Sequence, residues 1–162
     1  MRLPKPNNII TEKYVVGMSV FKNRLAKIKL SANESALGPS PKAKKEYIKV
    51  SKSFARYPDT NGTFLRETLS KKFKLDKNRI VLGSGSDQIF ELICKAYLKK
   101  GDEVITAANT AIPTISAIKS AGAKPKLVDI GEDYLINKDM IESAITKKTK
   151  AIMPVHWAGR PC

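Results

Sequence analysis

The chain has 162 residues, is 42% hydrophobic and carries a formal net charge of +15. That length suits one ordinary domain with a real core. Two cysteines exclude a disulfide framework, and a single histidine with two distant cysteines excludes a metal-ligand cluster. No apolar run reaches membrane-spanning length and no apolar leader follows the N-terminus, so the expected setting is the cytoplasm, with no membrane partner. The charge invites a nucleic-acid reading. The lysines are scattered, however: Lys42, Lys44, Lys45, Lys49 and Lys52 in one segment, Lys71, Lys72, Lys74 and Lys77 in another, and Lys147, Lys148 and Lys150 near the end. Arg–aromatic interleaving is sparse, and no helix-turn-helix, zinc or RNP-like pattern occurs. A solvated lysine-rich surface fits this distribution better than a nucleic-acid interface.

In chain order, residues 1–38 read as an irregular arm rich in Pro, Asn and Ser, with one strand-like piece at Ala26-Lys27-Ile28-Lys29-Leu30. Ser40-Pro41 predicts a capped helix start, and the helix should run to about Phe54 before Tyr57-Pro58-Asp59 stops it. A second helix is expected after Asn61-Gly62, with Phe64, Leu65, Leu69 and Phe73 at helical spacing. From Arg79 the pattern becomes a strand at 80–82, a glycine turn and a helix over 86–99 with an apolar stripe of Ile89, Phe90, Leu92, Ile93, Ala96 and Tyr97. A strand at 103–106, a helix from Pro113 to Ala121, a strand at 126–129, a helix over 138–146 and a strand at 151–155 follow. Strands alternating with helices across short loops predict an α/β fold with a mostly parallel sheet. The text closes on His156-Trp157-Ala158-Gly159-Arg160-Pro161-Cys162, just past a strand, where an open sheet would normally continue into a covering helix.

The turn Gly83-Ser84-Gly85-Ser86-Asp87 is the most informative feature. Backbone N–H groups at a helix start lack intrahelical partners, and the helix dipole favours an anion there. Gly85 removes a Cβ from the approach, and Ser84 and Ser86 can cap or donate. Gln88 stands where a dinucleotide fingerprint needs its third glycine, and no lysine completes a Walker loop. A generic anion site and an ordinary strand-to-helix turn both remain open. Arg56-Tyr57-Pro58-Asp59 equally reads as a helix stop, Asn33-Glu34 as loop residues, and His156 as a structural histidine at a strand's carboxyl end.

Taken together, these residues resemble the fold type I aminotransferases that use pyridoxal 5'-phosphate (PLP). Lys29-Leu30-Ser31-Ala32-Asn33-Glu34, Leu37-Gly38-Pro39-Ser40-Pro41, Arg56-Tyr57-Pro58-Asp59, Leu65-Arg66-Glu67, Arg79 through Asp87 and Gly101-Asp102-Glu103-Val104-Ile105 resemble the histidinol-phosphate aminotransferases, in order and spacing. Ala36 departs from that family's usual proline. From about 101 to 162, the runs Thr106 to Thr114, Ala121-Gly122-Ala123-Lys124-Pro125, Val128-Asp129-Ile130, Ala144-Ile145-Thr146, Thr149 to Ile152 and Pro154-Val155-His156 resemble the DegT/DnrJ/EryC1/StrS sugar aminotransferases. The text reads as a hybrid or truncated chain; a natural hybrid, a recombination product and a joining artefact all fit it.

The resemblance implies an arm at 1–38, a helical segment at 39–78 and the first part of a PLP-binding large domain at 79–162. It implies that Gly85, Ser86 and Asp87 hold the PLP phosphate and that Tyr57 reaches the cofactor phosphate of a neighbouring subunit in a homodimer with shared sites. His156 would lie beside the cofactor, and Tyr14 and Asn33 on the substrate side. The ring-stacking aromatic expected near Ala111 is missing. The implied reaction is amino-group transfer between histidinol phosphate, or its keto counterpart, and glutamate/2-oxoglutarate. The implied partners are thus a small-molecule amino donor and a keto-acid acceptor. A nucleotide-sugar aminotransferase is the alternative, and a non-catalytic fragment or basic binding module the alternative of another class. No catalytic residue is assigned, because no lysine here sits in the family's Schiff-base motif; the chain reads as the front part of an enzyme, inactive by itself.

Overall fold

The computed structural model describes residues 34–162, together with the backbone of 20–21 and 24–25. The strand-like piece at 26–30 and the candidate site residues Tyr14 and Asn33 lie outside the described residues. The chain divides into two compact units, 1–58 and 59–162.

In the first unit, strands β1 (Val20–Phe21) and β2 (Arg24–Leu25) pair antiparallel. Helix α1 (Pro41–Ser51) begins as the sequence predicts, with Pro41 in the first turn and the Ser40 hydroxyl oxygen accepting the Ala43 N–H at 3.1 Å. It stops short of Phe54. The Ser51 and Ser53 hydroxyls donate to the Ile48 and Val50 carbonyls at 2.7 and 2.9 Å, and this local competition draws the end into turns. Tyr47 and Phe54 still meet edge to face, 5.8 Å apart.

In the second unit, α2 (Thr63–Phe73) starts at Gly62, whose left-handed backbone offers no side-chain cap. Asp59 supplies it instead: its carboxylate accepts the Asn61 N–H at 3.1 Å and the Thr63 N–H at 2.6 Å. The bond from Thr63 is the foremost reason the Asp59 carboxyl sits below its ordinary value. A 3-10 turn (Lys77–Arg79) follows, held by the Arg66 guanidinium, which donates twice to the Lys77 carbonyl.

The remainder positions the candidate site. Helix α3 (Ser86–Tyr97), β3 (Glu103–Ala107), α4 (Ile112–Ser120), β4 (Lys124–Val128), α5 (Ile141–Ala144) and β5 (Thr149–Met153) build a parallel sheet of order β4-β3-β5. This is the expected α/β architecture. Alternation along β3 divides the core between the two faces of the sheet. Val104 packs with Cys94 of α3 and with Ala117 and Ile118 of α4, while Ile105 and Ala107 pack with Val128, Ile136 and Ala144. Cys94 is buried, and burial pushes its thiol up.

Three further expectations change. The predicted strand at 80–82 forms no ladder: Ile80 is extended and Ile80 and Leu82 are half-buried with Val81 exposed between them, yet no described strand lies beside them. The alternation set the faces; a strand also needs a neighbour for its N–H and C=O groups. The apolar stripe of α3 is only partly covered, since Leu92, Ile93 and Tyr97 are exposed. The predicted helix over 138–146 shrinks to a 3-10 turn (Lys138–Met140) and the short α5. There the Thr149 hydroxyl oxygen accepts the Thr146 N–H, and the Thr146 hydroxyl donates to Glu103, drawing the chain off the helix toward β5.

Ile118 is fully buried, so Ile118→Ala should cost about 3 kcal/mol of unfolding free energy in a denaturant titration, as large-to-small core substitutions do. A depressed carboxyl stabilises the fold above its unfolded value and loses that contribution as pH falls through the folded value. The stability gap between the wild type and Asp59→Asn should therefore be constant above about pH 4 and shrink below it when urea midpoints are measured across pH.

Candidate active site

The carboxyl ends of α3 and α4 lie together: Gly101 N–H donates to the Gly122 carbonyl, and a Cβ on Gly122 would sit 3.4 Å from Lys100. Those ends feed the paired starts of β3 and β4, where Glu103 faces Lys124. The amino-terminal ends of α3 and α4 consequently lie at the carboxyl end of the sheet, where open α/β sheets bind ligands.

At that end α3 begins in an unusual way. Gly85 precedes the helix with φ 88° and ψ 174°, a conformation reserved almost wholly for glycine. A Cβ built there meets nothing within 4 Å, so the space beside the Gly85 backbone is open. The Gly85 carbonyl accepts the first intrahelical bond, from Ile89, at 3.4 Å. The N–H groups of Gly85, Ser86 and Asp87 make no hydrogen bond among the described residues. Here lies a cradle of free donors at the positive end of a three-turn helix, solvent-open, with a place for an anion that a side chain would fill. The Asp87 carboxylate would repel such an anion, so Asp87 can contribute only its backbone N–H. Its side chain instead accepts a long bond (3.4 Å) from the Ser86 hydroxyl.

Beside the cradle, the facing sides of α3 and α4 form a groove of about 600 Å³ lined by Ser84, Asp87, Gln88, Glu91, Ile112 and Pro113 among others. Ala111 is the N-cap residue of α4 and brings no side-chain cap. At the end of β3 the Asn109 amide donates to the Tyr134 carbonyl at 3.0 Å. That bond ties the loop after β4, where Tyr134 itself is left-handed (φ 65°), to the sheet's carboxyl edge. Asn109 Oδ1 and Thr110 Oγ1 are buried there with no partner among the described residues.

Of the candidate residues, Gly85, Ser86 and Asp87 come together at the cradle. His156 follows β5 at the same end of the sheet and is exposed. Its Nδ1 accepts the Cys162 N–H at 3.1 Å, which leaves Nε2 as the protonated nitrogen of the neutral ring. Tyr57 belongs to the first unit and is 99% exposed, so no described neighbour fixes its ring. Sequence reasoning took Gln88 only as a missing glycine; a Gln at the third helical position is itself a capping signal. Asn109 carried no such local signature, since its partner lies 25 residues away. Among the described residues no group of three His, Cys, Asp or Glu could hold a metal ion, and no helix is long and apolar enough to cross a membrane.

A parallel sheet flanked by helices, with an open helix start at its carboxyl end, defines an α/β protein of the open-sheet kind. The DegT/DnrJ/EryC1/StrS aminotransferase family model matches residues 46–162, and the chain belongs to that family. It is also similar to the histidinol-phosphate aminotransferases of Paramagnetospirillum magneticum (38% identical over 150 residues) and Pelagibacter ubique (38% over 152). These alignments cover 92% and 94% of this chain but 41% and 42% of the relatives. The chain thus spans about two fifths of the length of these curated relatives. Among solved structures, Spr1654 of Streptococcus pneumoniae, assigned as a sugar aminotransferase and known in a PLP form, is 32% identical with a TM-score of 0.63, covering 73% of this chain and 30% of that one. The PLP-bound histidinol-phosphate aminotransferase of Sinorhizobium meliloti shares the fold, with a TM-score of 0.65 at 20% identity over 72% of this chain and 32% of that one. The two likenesses overlap: the family match begins at 46, well ahead of 101, and the histidinol-phosphate aminotransferase similarity runs over 150 residues.

Proposed function

We propose that this chain forms the cofactor-phosphate side of a PLP-dependent aminotransferase, with Gly85, Ser86 and Asp87 as the phosphate cradle. The observation that carries it is the open, positive-φ Gly85, whose N–H is unpartnered together with those of Ser86 and Asp87, in a member of an aminotransferase family. The residues present fit the phosphate end of the cofactor: three adjacent donors at one helix start are unpartnered, the Cβ that would block them is absent, and the helix dipole favours the charge. PLP, when bound, supplies the electron sink that amino-group transfer requires. Within this chain, the Ser86 hydroxyl becomes a donor beside the N–H groups on turning away from its long bond to Asp87, and the Nε2–H of His156 offers a single donor at the carboxyl end of β5.

The reaction this reading favours is amino-group exchange between histidinol phosphate, or its keto counterpart, and the glutamate/2-oxoglutarate pair, on the strength of the similarity that spans nine tenths of the chain. Tyr14 and Asn33 would face that substrate. Tyr57, exposed and without a described neighbour, suits a role toward the cofactor phosphate of a second subunit in a homodimer. The family match and the likeness to Spr1654 favour a second reading, in which the acceptor is a nucleotide-linked keto sugar.

The many lysines would react non-specifically with an aldehyde, so pyridoxine 5'-phosphate is the suitable probe. Gly85→Ala both strains the backbone and places a methyl group in the cradle. It should weaken binding of that probe at least about tenfold by calorimetry, or about 1.4 kcal/mol. Unchanged affinity would remove the cradle from the site.

A further inference from the structure

Ser84 N–H points not into the cradle but onto the first turn of α3, where Gln88 Oε1 accepts it at 2.6 Å. Between Val81 and Gly85 this is the one hydrogen bond that the backbone donates among the described residues. The approach is close at Gly83. A Cβ on Gly83 would lie 3.2 Å from the same Oε1 and 2.8 Å from Ile89 Cδ1, so the loop rests directly on the helix and only glycine fits at 83 without displacement.

Resting on the PLP-phosphate reading above, we propose that Gln88 is a positioning residue of the cradle. Its Oε1 anchors Ser84 and thereby holds Gly85 in the positive-φ conformation that leaves the neighbouring N–H groups unpartnered. The geometry is a capping box displaced by one residue: the side chain at the third helical position reaches back, but past the N-cap Gly85 to the N–H before it. The displacement has a consequence for binding. A reach to Gly85 would consume a donor that the anion needs; the reach to Ser84 consumes one that lies outside the cradle. Among the described residues, no other hydrogen bond donated by the backbone from Val81 to Gly85 restrains the loop. Ser84, Gly85 and Ser86 are exposed, and neither Ser84 nor Gly85 has a packed side chain to fix it. Preorganisation of the donors, rather than an added contact, is what Gln88 supplies.

The test uses the full chain and two variants of the interaction. Gln88→Met removes the acceptor at similar volume, and Gln88→Glu retains an acceptor oxygen. Binding of pyridoxine 5'-phosphate is measured by calorimetry, protection of the Ser84 amide by hydrogen exchange, and stability by thermal unfolding. The expected result is about tenfold weaker binding and faster Ser84 exchange in Gln88→Met, whereas Gln88→Glu keeps Ser84 protected and loses affinity only by a charge repulsion that salt screens, with all melting midpoints alike. If wild type binds and Gln88→Met binds as tightly, with Ser84 still protected, the role of Gln88 is overturned and the cradle stands. Equal loss in both variants, accompanied by lower melting midpoints, makes Gln88 a structural residue only and also overturns the proposal. If wild type itself fails to bind the probe, the cradle reading falls and the role of Gln88 falls with it.

Discussion

The turn into α3 passes through Gly85 at φ 88° and ψ 174°, and the chemistry available to this chain depends on that one conformation. A side chain there would meet backbone strain of the order of a few kcal/mol and would occupy the open space beside the helix start. With glycine, the same atoms present free N–H groups to solvent at the positive end of the helix. The surrounding structure holds the strained residue from both sides: Gln88 fixes Ser84 ahead of it, and the Ile89 N–H closes the first helical turn onto its carbonyl.

The sheet aims that turn. Because β3 carries α3 and α4 on one face and the α5 side on the other, the helices are packed by alternate residues of a single strand. Val104 and Ile105, adjacent in sequence and both fully buried, belong to different cores. The side chain of Thr106 is turned to the neighbouring strand, donating to the Met153 carbonyl at 2.7 Å. The result is a rigid carboxyl edge where α3 and α4 begin, where the loop after β4 is tied down by Asn109 and where β5 delivers His156. Two buried oxygens at that edge, on Asn109 and Thr110, have no partner among the described residues, which is how a polar edge looks when its own chain leaves donors and acceptors uncommitted.

Much of this was legible in the residues. Ser40-Pro41 marked a helix start because its local chemistry decides it, and the strand–helix alternation after Glu103 gave the parallel sheet through its hydrophobic periods. The cradle was legible for the same reason: Gly85 and the helix start are local. What could not be read depends on neighbours distant in sequence or on which of several local side-chain bonds forms. Ile80-Val81-Leu82 has the alternation of a strand but no described strand to pair with. Ser51 and Ser53 shorten α1 by bonds whose strength propensity does not reveal, and Thr146 and Thr149 cut α5 short through contacts with Glu103 and each other. Gln88 was misread because comparison with a dinucleotide template asked only whether it was glycine. Its amide oxygen, not its missing hydrogen, is what the loop uses.

The cradle predicts where a phosphate ester must be felt. In a titration of isotope-labelled chain with pyridoxine 5'-phosphate followed by amide NMR, the backbone amides of Gly85, Ser86 and Asp87 should shift most, with Ser84 moving less because its N–H is already engaged by Gln88. Shifts concentrated instead on the lysine-rich α1, or spread evenly over the basic surface with no response at Gly85, would contradict a phosphate site at the start of α3.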